Sequence, residues 1–478
     1  MAGDGWPPGW GVRLSPQTRW VDDRSLIGGA PLRVLHFSPA AARALRSGTP
    51  GAGVARAVTD AGAAACVPLP TRPGRWPTWS VVVPVRDRPG GLAATLAALR
   101  PAADGVPAPD EVVVVDDGSL EALAPGDGGP GRTPWAVRVL RRERPGGPAP
   151  ARDDGWRSVG SEVVVFVDAD CTLQPGALAV LLTHFADPTL AAVAPRVRSA
   201  PGTGVRARFE RVRSPLDLGP LAGPVRPRAR VAYVPTAALA ARRAALESAG
   251  GFDTALRVGE DVDLVWRLVA AGWRVRYEPA AVAFHPPRAS WWSWARQRWS
   301  YGTSAGPLAS RHGDAVAPLR GGRLPLGAVA AGVLLGPPWW AAGAAASTVV
   351  AVRRLRAAGV PTAAAVRVAA GAQLRAADAV GRALRRAWGG GLWAGVAATG
   401  VSGRRRPGRL VLRRPVGRAA ALALAPLLVE WATSGCALDP VRYVGLALVD
   451  DTAYTCGVVA GAVRSRSLRA LLPVAGSA

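Results

Sequence analysis

Short valine-rich segments alternate with helix-like segments from residue 79 onwards. The valine-rich segments are residues 80–85, 111–115, 137–140 and 162–167. The helix-like segments are residues 91–99, 149–159 and 175–185. Strands that are apolar at consecutive positions are typical of a sheet covered on both faces, and their alternation with helices favours parallel pairing. The pattern therefore predicts an α/β domain with a mainly parallel sheet, which we place at residues 79–312.

Residues 1–75 have a different pattern and are predicted to form a small separate module. A strand at 32–37 is followed by two helices, at 38–48 and 54–61. This order suggests a winged-helix-like fold, and such a module could bind a peptide or a protein acceptor. The segment 68–77 is rich in Pro and Gly, which indicates a linker.

Residues 320–478 are predicted to form a hydrophobic, Arg-rich helical region. Residues 324–352 carry no charge and exceed the roughly 20 apolar residues that span a bilayer. Pro337 and Pro338 would break such a helix, so a membrane span and a surface position both stay open.

A second segment of this region, residues 366–388, is predicted to be a basic amphipathic helix. Its apolar stripe comprises Val366, Ala370, Leu374, Ala377, Leu384 and Trp388. The arginines off the stripe are Arg367, Arg375, Arg382, Arg385 and Arg386. Such a helix lies on a membrane surface or docks on the catalytic domain.

Composition narrows the class of protein. Hydrophobic residues make up 49% of the chain, so it can bury a large core and global disorder is excluded. The four cysteines have no paired spacing, which excludes a disulfide scaffold and a CxxC zinc site. Residues 1–20 contain no apolar segment typical of a secretory signal. We therefore expect a reducing, cytoplasmic location for the catalytic domain.

The net charge of +26 favours polyanions such as anionic lipid, nucleic acid or nucleotide phosphates. All 59 basic residues are arginines, which a coding bias explains in part. From Arg320 onwards 21 arginines accompany five acidic residues, so +16 of the charge lies in the last third. This region is the predicted contact with an anionic membrane surface.

Acidic residues follow two of the predicted strands. Asp116 and Asp117 end one strand, and Asp168 and Asp170 end another. Ligands of parallel sheets bind outside the carboxyl ends of the strands. Asp168 and Asp170 are therefore candidates to hold a divalent cation with a diphosphate. Asp116 and Asp117 precede Gly118, so they form either a tight turn or a site that hydrogen-bonds uracil or ribose.

Three further features could carry chemistry. Glu260 and Asp261 begin a predicted helix, where they either complement the helix dipole or include a general base. His285 follows two strand-like segments and is either structural or a late metal ligand. The Trp- and Arg-rich segment 291–299 belongs to the core, to a lipid interface or to a surface that stacks on sugar rings.

Taken in order, these motifs resemble the family 2 inverting glycosyltransferases over about residues 79–300. The matching motifs are Val81–Val85, Glu111–Ser119, Val163–Asp170, Gly251–Asp253 and Gly259–Asp261. The resemblance implies a GT-A-type nucleotide-sugar-binding domain that uses Mg²⁺ or Mn²⁺. It implies donor-binding roles for Pro84, Val85, Asp87, Asp116, Asp117, Arg152 and Asp168. It further implies a catalytic base at Asp261, metal ligands at Asp170 and His285, and acceptor contacts at Glu260, Trp266 and Trp299.

Other segments resemble the mycofactocin-biosynthesis glycosyltransferases, a subgroup of that family. These segments are residues 26–32, 213–219, 233–237, 256–268 and 301–305. The resemblance implies that glucose units are transferred from UDP-glucose to a small-molecule redox-cofactor precursor in β-1,4 linkage. The hydrophobic, Arg-rich region 320–478 predicts a cytoplasmic catalytic domain that is associated with the inner face of the cell membrane. We expect no nucleic-acid partner.

The chain departs from the family at two positions. Asp153 stands where many members have Asn, so we expect added charge near the diphosphate, which puts that donor contact in doubt. Ala295 precedes Arg298 and Trp299 where processive relatives carry Gln or Arg, so the chain length of the product cannot be inferred.

Three alternatives to this function stay open. The first is a family 2 enzyme that uses a lipid or polysaccharide acceptor at the membrane. The second is a sugar nucleotidylyltransferase, although the arginines at 86 and 88 match its triphosphate loop poorly. The third is a basic membrane or nucleic-acid adaptor, which explains the charge but not three ordered acidic motifs.

Overall fold

The computed structural model describes residues 5–68, 76–99, 105–123, 135–400 and 407–476. It divides into two compact units. The first unit comprises Met1–Gly202 and Arg213–Pro287, and the second comprises Thr203–Val212 and Arg288–Ala478. Most of the predicted linker, residues 69–75, lies outside the described residues.

The N-terminal part of the first unit contains two small sheets and two helices. Its strands are β1 (Gly11–Leu14), β2 (Arg19–Trp20), β3 (Ser25–Gly28), β4 (Arg33–His36) and β5 (Ala64–Val67). Its helices are α1 (Pro39–Arg46) and α2 (Ala52–Asp60). β1 pairs with β5, and β2, β3 and β4 form the second antiparallel sheet around a core that includes Leu26, Leu45 and Val58. The predicted strand and helices are confirmed, and the winged-helix-like interpretation stays a prediction.

The rest of the first unit is built around one sheet. Its strands are β6 (Trp79–Val85), β7 (Val112–Asp116), β8 (Val137–Arg141), β9 (Val163–Val167), β10 (Thr172–Leu173), β11 (Leu190–Ser199), β12 (Gly223–Pro224), β13 (Ala238–Arg242) and β14 (Arg274–His285). The helices along this stretch are α3 (Pro89–Ala98), α4 (Pro148–Arg157), α5 (Ala177–Thr183), α6 (Val205–Arg213), α7 (Arg243–Ser248) and α8 (Glu260–Ala270). Most of α6 belongs to the second unit.

The sheet is mainly parallel, as the valine-rich segments predict. The spatial order is β10-β14-β11-β13-β9-β6-β7-β8, with β12 beside β14. The run β9-β6-β7-β8 is parallel, and so is the pair β11 and β14, whereas β13 runs antiparallel between β9 and β11. Every residue of β7 and β9 is buried, which explains why β-branched valine occupies consecutive positions.

One strand differs from the prediction of two strands at 275–277 and 281–284. β14 is continuous, but its pairing with β11 shifts register, since Pro195 pairs with Glu278 and Arg196 with Val282. The intervening residues form an irregularity within one strand. In the sequence pattern, this irregularity resembles a break between two strands. The strand thereby continues to His285, at the same level as Ser199.

Among its described residues, the second unit is helical apart from one short strand pair. Its remaining helices are α9 (Trp291–Thr303), α10 (Ala305–His312), α11 (Arg323–Leu334), α12 (Pro337–Ala357), α13 (Thr362–Arg386), α14 (Gly389–Gly400), α15 (Pro407–Ser434) and α16 (Pro440–Arg464). The strands β15 (Arg320–Gly322) and β16 (Val474–Gly476) pair in parallel. The uncharged segment 324–352 is divided between α11 and α12 at Gly336, whose φ is +123°, and α12 begins at Pro337.

Helix α13 covers most of the predicted helix at 366–388, and the exposure of its stripe speaks against docking through that stripe while the membrane-surface alternative stays a prediction. Its side of small residues is buried, whereas Val366 and Leu374 of the predicted stripe are exposed. Arg385, predicted to lie on the polar face, is buried because its guanidinium donates to Asp451 at 2.9 Å. A buried cation is tolerated where a carboxylate pairs with it.

The Trp- and Arg-rich segment divides between core and surface. Trp294 is buried, and the buried Arg298 donates to Glu210 at 2.6 Å and to Asp450 at 2.7 Å. Trp292 on the same helix is exposed. The segment therefore stabilises the second unit, and it also presents aromatic surface.

Candidate active site

Asp116 ends strand β7 and is fully buried. Its carboxylate accepts hydrogen bonds from the Ser119 amide at 2.9 Å and from the Arg141 guanidinium at 2.5 Å. Burial alone would raise the pKa of Asp116, but these hydrogen bonds outweigh it and hold the pKa below its usual value. The group is therefore an anion that orders the loop after β7.

Asp117 has a comparable role on the other side of the turn. Its two carboxylate oxygens accept from the amides of Gly146 at 2.9 Å and Gly147 at 2.7 Å. These residues directly precede α4, so Asp117 fixes the entry to that helix. The tight-turn interpretation therefore describes these contacts, and a uracil or ribose contact stays a prediction.

The loop after β6 is tied to the same turn. The Asp117 amide donates to the Val85 carbonyl at 2.9 Å. Asp87, at a φ of +52°, donates from its amide to Ser119 Oγ at 3.0 Å and accepts from the Leu120 amide at 2.8 Å. Pro84, Val85 and Asp87 thus lie beside the β7 loop, so the predicted uridine-binding residues are brought together.

Arg152 on α4 connects two acidic motifs that are far apart in sequence. Its guanidinium is buried and donates to Asp168 Oδ1 at 2.6 Å and to Glu260 Oε1 at 2.9 Å. Burial alone would lower the pKa of Arg152, but the charges of Asp168 and Glu260 raise it, so the cation is stable there. This network brings the end of β9 against the start of α8.

Asp170 lies next to two basic side chains, Arg88 and His285. It forms an ion pair with Arg88, just before α3, and lies 3.6 Å from His285 Nε2 at the end of β14. Sequence reasoning missed Arg88, although its position after the first strand was a usable signal. The predicted metal ligands are therefore neighbours in the structure.

These two side chains suit a divalent cation bound to phosphate. Mg²⁺ takes one or two protein carboxylates and completes its shell with phosphate oxygens and water, and Mn²⁺ accepts imidazole as well. No cluster of three or more His, Cys, Asp or Glu able to hold an ion occurs in the described ranges. Asp170 and His285 thus fit a site that a nucleotide completes, rather than an all-protein cage.

Asp261 lies in the first turn of α8, which begins after Gly259 in the left-handed conformation, at a φ of +84°. Burial and the negative charge of Glu260 raise the pKa of Asp261 to about 7. The Val262 amide, 2.8 Å from Oδ1, and Arg152 oppose that rise. A carboxylate that titrates near neutral pH suits a general base.

Three predicted acceptor residues occupy different surroundings. Glu260 is buried and engaged by Arg152. Trp266 is also buried and donates from its indole to the Ala232 carbonyl at 2.7 Å. Trp299 belongs to the second unit, where the Arg464 guanidinium lies 5.4 Å from its ring centre. Acceptor contacts at these residues stay predictions.

The expectation that Asp153 adds negative charge near the diphosphate is wrong. The Asp153 carboxylate accepts from the Trp156 indole at 2.7 Å, the Phe252 amide at 3.0 Å and the Arg157 guanidinium at 2.8 Å. The charge is thus balanced within the protein instead of adding to the diphosphate site. A Cβ at Gly251 would collide with this carboxylate, which explains glycine there.

The mainly parallel sheet, with acidic residues at the carboxyl ends of its strands, has the GT-A fold of glycosyltransferases. Residues 80–247 match the family described as Glycosyl transferase family 2. The chain is 36% identical over 488 aligned positions, covering 98% of both chains, to proteins of two Mycobacterium tuberculosis strains, CDC 1551 and H37Rv. Both carry the name Pre-mycofactocin glycosyltransferase. The chain therefore belongs to glycosyl transferase family 2.

A solved structure is also similar to the chain. It is the mannosyltransferase of Pyrobaculum calidifontis in complex with GDP-Man and Mn²⁺, which is 21% identical. The match covers 75% of this chain and 89% of that chain, with a TM-score of 0.38.

Proposed function

We propose that the protein transfers glucose from UDP-glucose to premycofactocin and builds a β-1,4-linked oligoglucose chain with inversion at the anomeric carbon. The identity to the pre-mycofactocin glycosyltransferases over nearly the whole chain supports the acceptor. The main structural observation in support of the reaction is that Arg152 donates hydrogen bonds to both Asp168 and Glu260. Arg152 thereby places the donor-side Asp168 next to Glu260, the residue before the proposed base Asp261.

The donor lies across the carboxyl ends of β6, β7 and β9 in this proposal. The loops that carry Pro84, Val85, Asp87, Asp116 and Asp117 contact the uridine. Those loops are already joined by hydrogen bonds, so little order has to be gained when the nucleotide binds.

The phosphate end of the donor lies near Asp168, Arg152 and Asp170. Asp170 and His285 would hold Mg²⁺ or Mn²⁺, and the ion when bound supplies positive charge that neutralises the departing diphosphate. Arg88, which pairs with Asp170, is a second cation at this point.

Asp261 takes the proton of the acceptor hydroxyl as the oxygen attacks the anomeric carbon. The raised pKa of Asp261 makes its carboxylate a stronger base than an exposed aspartate. The bond from carbon to the diphosphate oxygen breaks in the same displacement, so UDP leaves and the configuration inverts. Glu260 stays paired with Arg152, and its charge sustains the basicity of Asp261.

Mass spectrometry of premycofactocin after incubation with the protein, UDP-glucose and Mn²⁺ tests this proposal. We expect hexose additions that disappear with EDTA and with Asp261→Asn, but persist with Glu247→Gln, an exposed acid-to-amide control on α7. UDP release without hexose on premycofactocin would overturn the acceptor. Pyrophosphate release would instead support a nucleotidylyltransferase.

Membrane association is the second part of the proposal. Among the described residues, two helical segments are long and apolar enough to cross a membrane, Arg414–Ser434 and Pro440–Arg464. Only 11% of the first is buried, and Val429 within it is exposed. An apolar, unburied surface beside many arginines suits an anionic bilayer.

The same surface favours one alternative acceptor, a membrane lipid. Co-flotation of the protein with vesicles containing anionic lipid tests the association. We expect Val429→Glu to weaken it, and Leu32→Glu, at an exposed apolar position of the first unit, to serve as the matched control. Hexose transfer to extracted lipid, but not to premycofactocin, would favour the alternative.

A further inference from the structure

A cavity of about 220 Å³ opens in the first unit, away from the carboxylates of the sugar-nucleotide site. Its wall includes Cys66 of β5, His184 after α5, and Arg276 and Glu278 of β14. The proposed transfer reaction uses none of these residues. The cavity therefore calls for its own explanation.

Three side chains on the wall lie close together, with His184 between Cys66 and Glu278. Cys66 Sγ lies 3.8 Å from His184 Nδ1, and His184 Nε2 lies 3.3 Å from Glu278 Oε2. His184 is buried, and the ring of Trp10 packs edge-on against it at 5.6 Å between centres. The imidazole thus has the thiol beside Nδ1 and the Glu278 carboxylate at ion-pair distance from Nε2, which makes no hydrogen bond. The same order of thiol, imidazole and carboxylate occurs in nucleophilic cysteine sites.

The charges around Cys66 favour a thiolate beside an imidazolium. Burial alone would raise the pKa of the Cys66 thiol, but Arg276 and His184 outweigh burial and the opposing charge of Glu278, and hold the pKa below its usual value. The pKa of His184 is raised to about 9, because Cys66 and Glu278 outweigh burial and the charge of Arg276. A thiolate rather than a thiol is the reactive form of cysteine.

The cavity wall carries more basic than acidic side chains, because Arg226, Arg274 and Arg276 accompany two carboxylates, Asp60 and Glu278. Arg276 is 7% exposed, shares the carboxylate of Asp187 with Arg56, and leaves its Nη1 without a hydrogen-bond partner. Burial and the neighbouring Arg33 lower the pKa of Arg226, which also lines the cavity. Arg274, in contrast, is matched by Asp60 through two hydrogen bonds of 2.8 and 2.9 Å.

The unpaired Nη1 of Arg276 and the excess of arginines on the wall together favour an anionic ligand, because leaving a buried guanidinium nitrogen unpaired is costly. The same cavity wall holds the nucleophile, so the ligand that fits both features is anionic and carries an electrophilic sulfur.

We propose that this cavity binds small anionic disulfides and that Cys66 forms a mixed disulfide with them. Cys66 Sγ attacks one sulfur of the reagent, and the new S–S bond forms as the S–S bond of the reagent breaks. The other half leaves as a thiolate and takes a proton from His184 or water. One disulfide is consumed and one is formed, so no separate oxidant is required.

Dithiodiglycolate, a dianionic disulfide, and cystamine, a cationic disulfide of similar length, test the charge selection. The full-length protein is treated with each, and peptide mass spectrometry gives the rate at every cysteine. Cys456 is exposed and is the internal reference, whereas Cys171 is fully buried. We expect Cys66 to react at least tenfold faster with the anionic reagent, and Cys456 to show no such preference.

A pH profile and one variant separate reactivity from simple access. We expect the rate at Cys66 to rise clearly less than tenfold per pH unit between about pH 6 and 8, because tenfold is the slope of a thiol whose pKa is not lowered. Arg226→Gln reduces the anion preference several-fold, whereas Arg243→Gln on α7 leaves it unchanged.

The comparison of the two reagents needs no variant, so the proposal stays testable if Arg226→Gln does not fold. It is overturned if Cys66 stays unmodified while Cys456 reacts completely. It is equally overturned if the charge preference of Cys66 matches that of Cys456, or if the rate at Cys66 rises tenfold per pH unit.

Discussion

Replacing Arg152 by leucine removes the one cation that joins Asp168 to Glu260. The contact with Glu260 is between side chains that are 4% and 9% exposed, whereas Asp168 is 29% exposed and keeps part of its hydration. Breaking a buried ion pair from one side costs about 3–5 kcal/mol, because the other charge is left unpaired. Since water screens Asp168 in part, we expect a loss near the lower end, about 3 kcal/mol.

Urea unfolding followed by tryptophan fluorescence measures this loss, and hydrogen exchange at α8 amides locates it. Arg243→Leu is the matched control, because its pair with Glu247 is half exposed and one turn apart on α7. Such pairs contribute about 0.3–0.5 kcal/mol.

A second substitution separates the lost pair from lost packing. Glu260→Gln removes the charge that Arg152→Leu leaves unpaired, so the double variant is expected to recover about 1–3 kcal/mol relative to the sum of the single variants. A loss below 1 kcal/mol for Arg152→Leu, or additive effects in the double variant, would refute the reasoning.

Three further results follow from the site. Because Asp261 must be ionised to accept a proton and its pKa is raised to about 7, transfer should rise with pH through about 7 and fall below it, and a rate independent of pH between 5 and 8 would contradict this role. His285→Ala should weaken Mn²⁺ binding at least tenfold in the presence of UDP, as measured by calorimetry, and unchanged affinity would remove His285 from the metal site. Gly251→Ala should destabilise more than Gly250→Ala in thermal unfolding. Both glycines have a φ near +75°, but only at Gly251 does a Cβ collide with a neighbour.

Much of the sheet could be predicted because strands that are buried on both faces have apolar residues at consecutive positions in the sequence. The strands β6, β7 and β9 are rich in valine, and acidic residues stand directly at the ends of β7 and β9. Strands β11 and β13 have no such valine pattern, since three of the five residues of β13 and three of the ten of β11 are alanine, and Pro195 interrupts β11. Alanine and proline are disfavoured in strands, and here the neighbouring strands impose the conformation.

The contacts within the site could not be predicted to the same extent. Arg152 and Glu260 are 108 positions apart, and Cys66 and His184 are 118 apart. No local pattern reports which side chains meet across such distances. Asp153 shows the same limit, because its partners at Trp156 and Phe252 become visible only when the Gly251 turn is placed against α4.

The most direct test of the account compares transfer and donor binding in Asp261→Asn. The variant keeps the shape of the side chain but cannot accept the acceptor proton, so we expect UDP formation with premycofactocin to fall by at least a hundredfold, within the range for general bases. Its affinity for UDP-glucose with Mn²⁺ should stay within about threefold of the parent protein. Full activity, or loss of UDP-glucose binding together with activity, would contradict the role of Asp261 as the catalytic base.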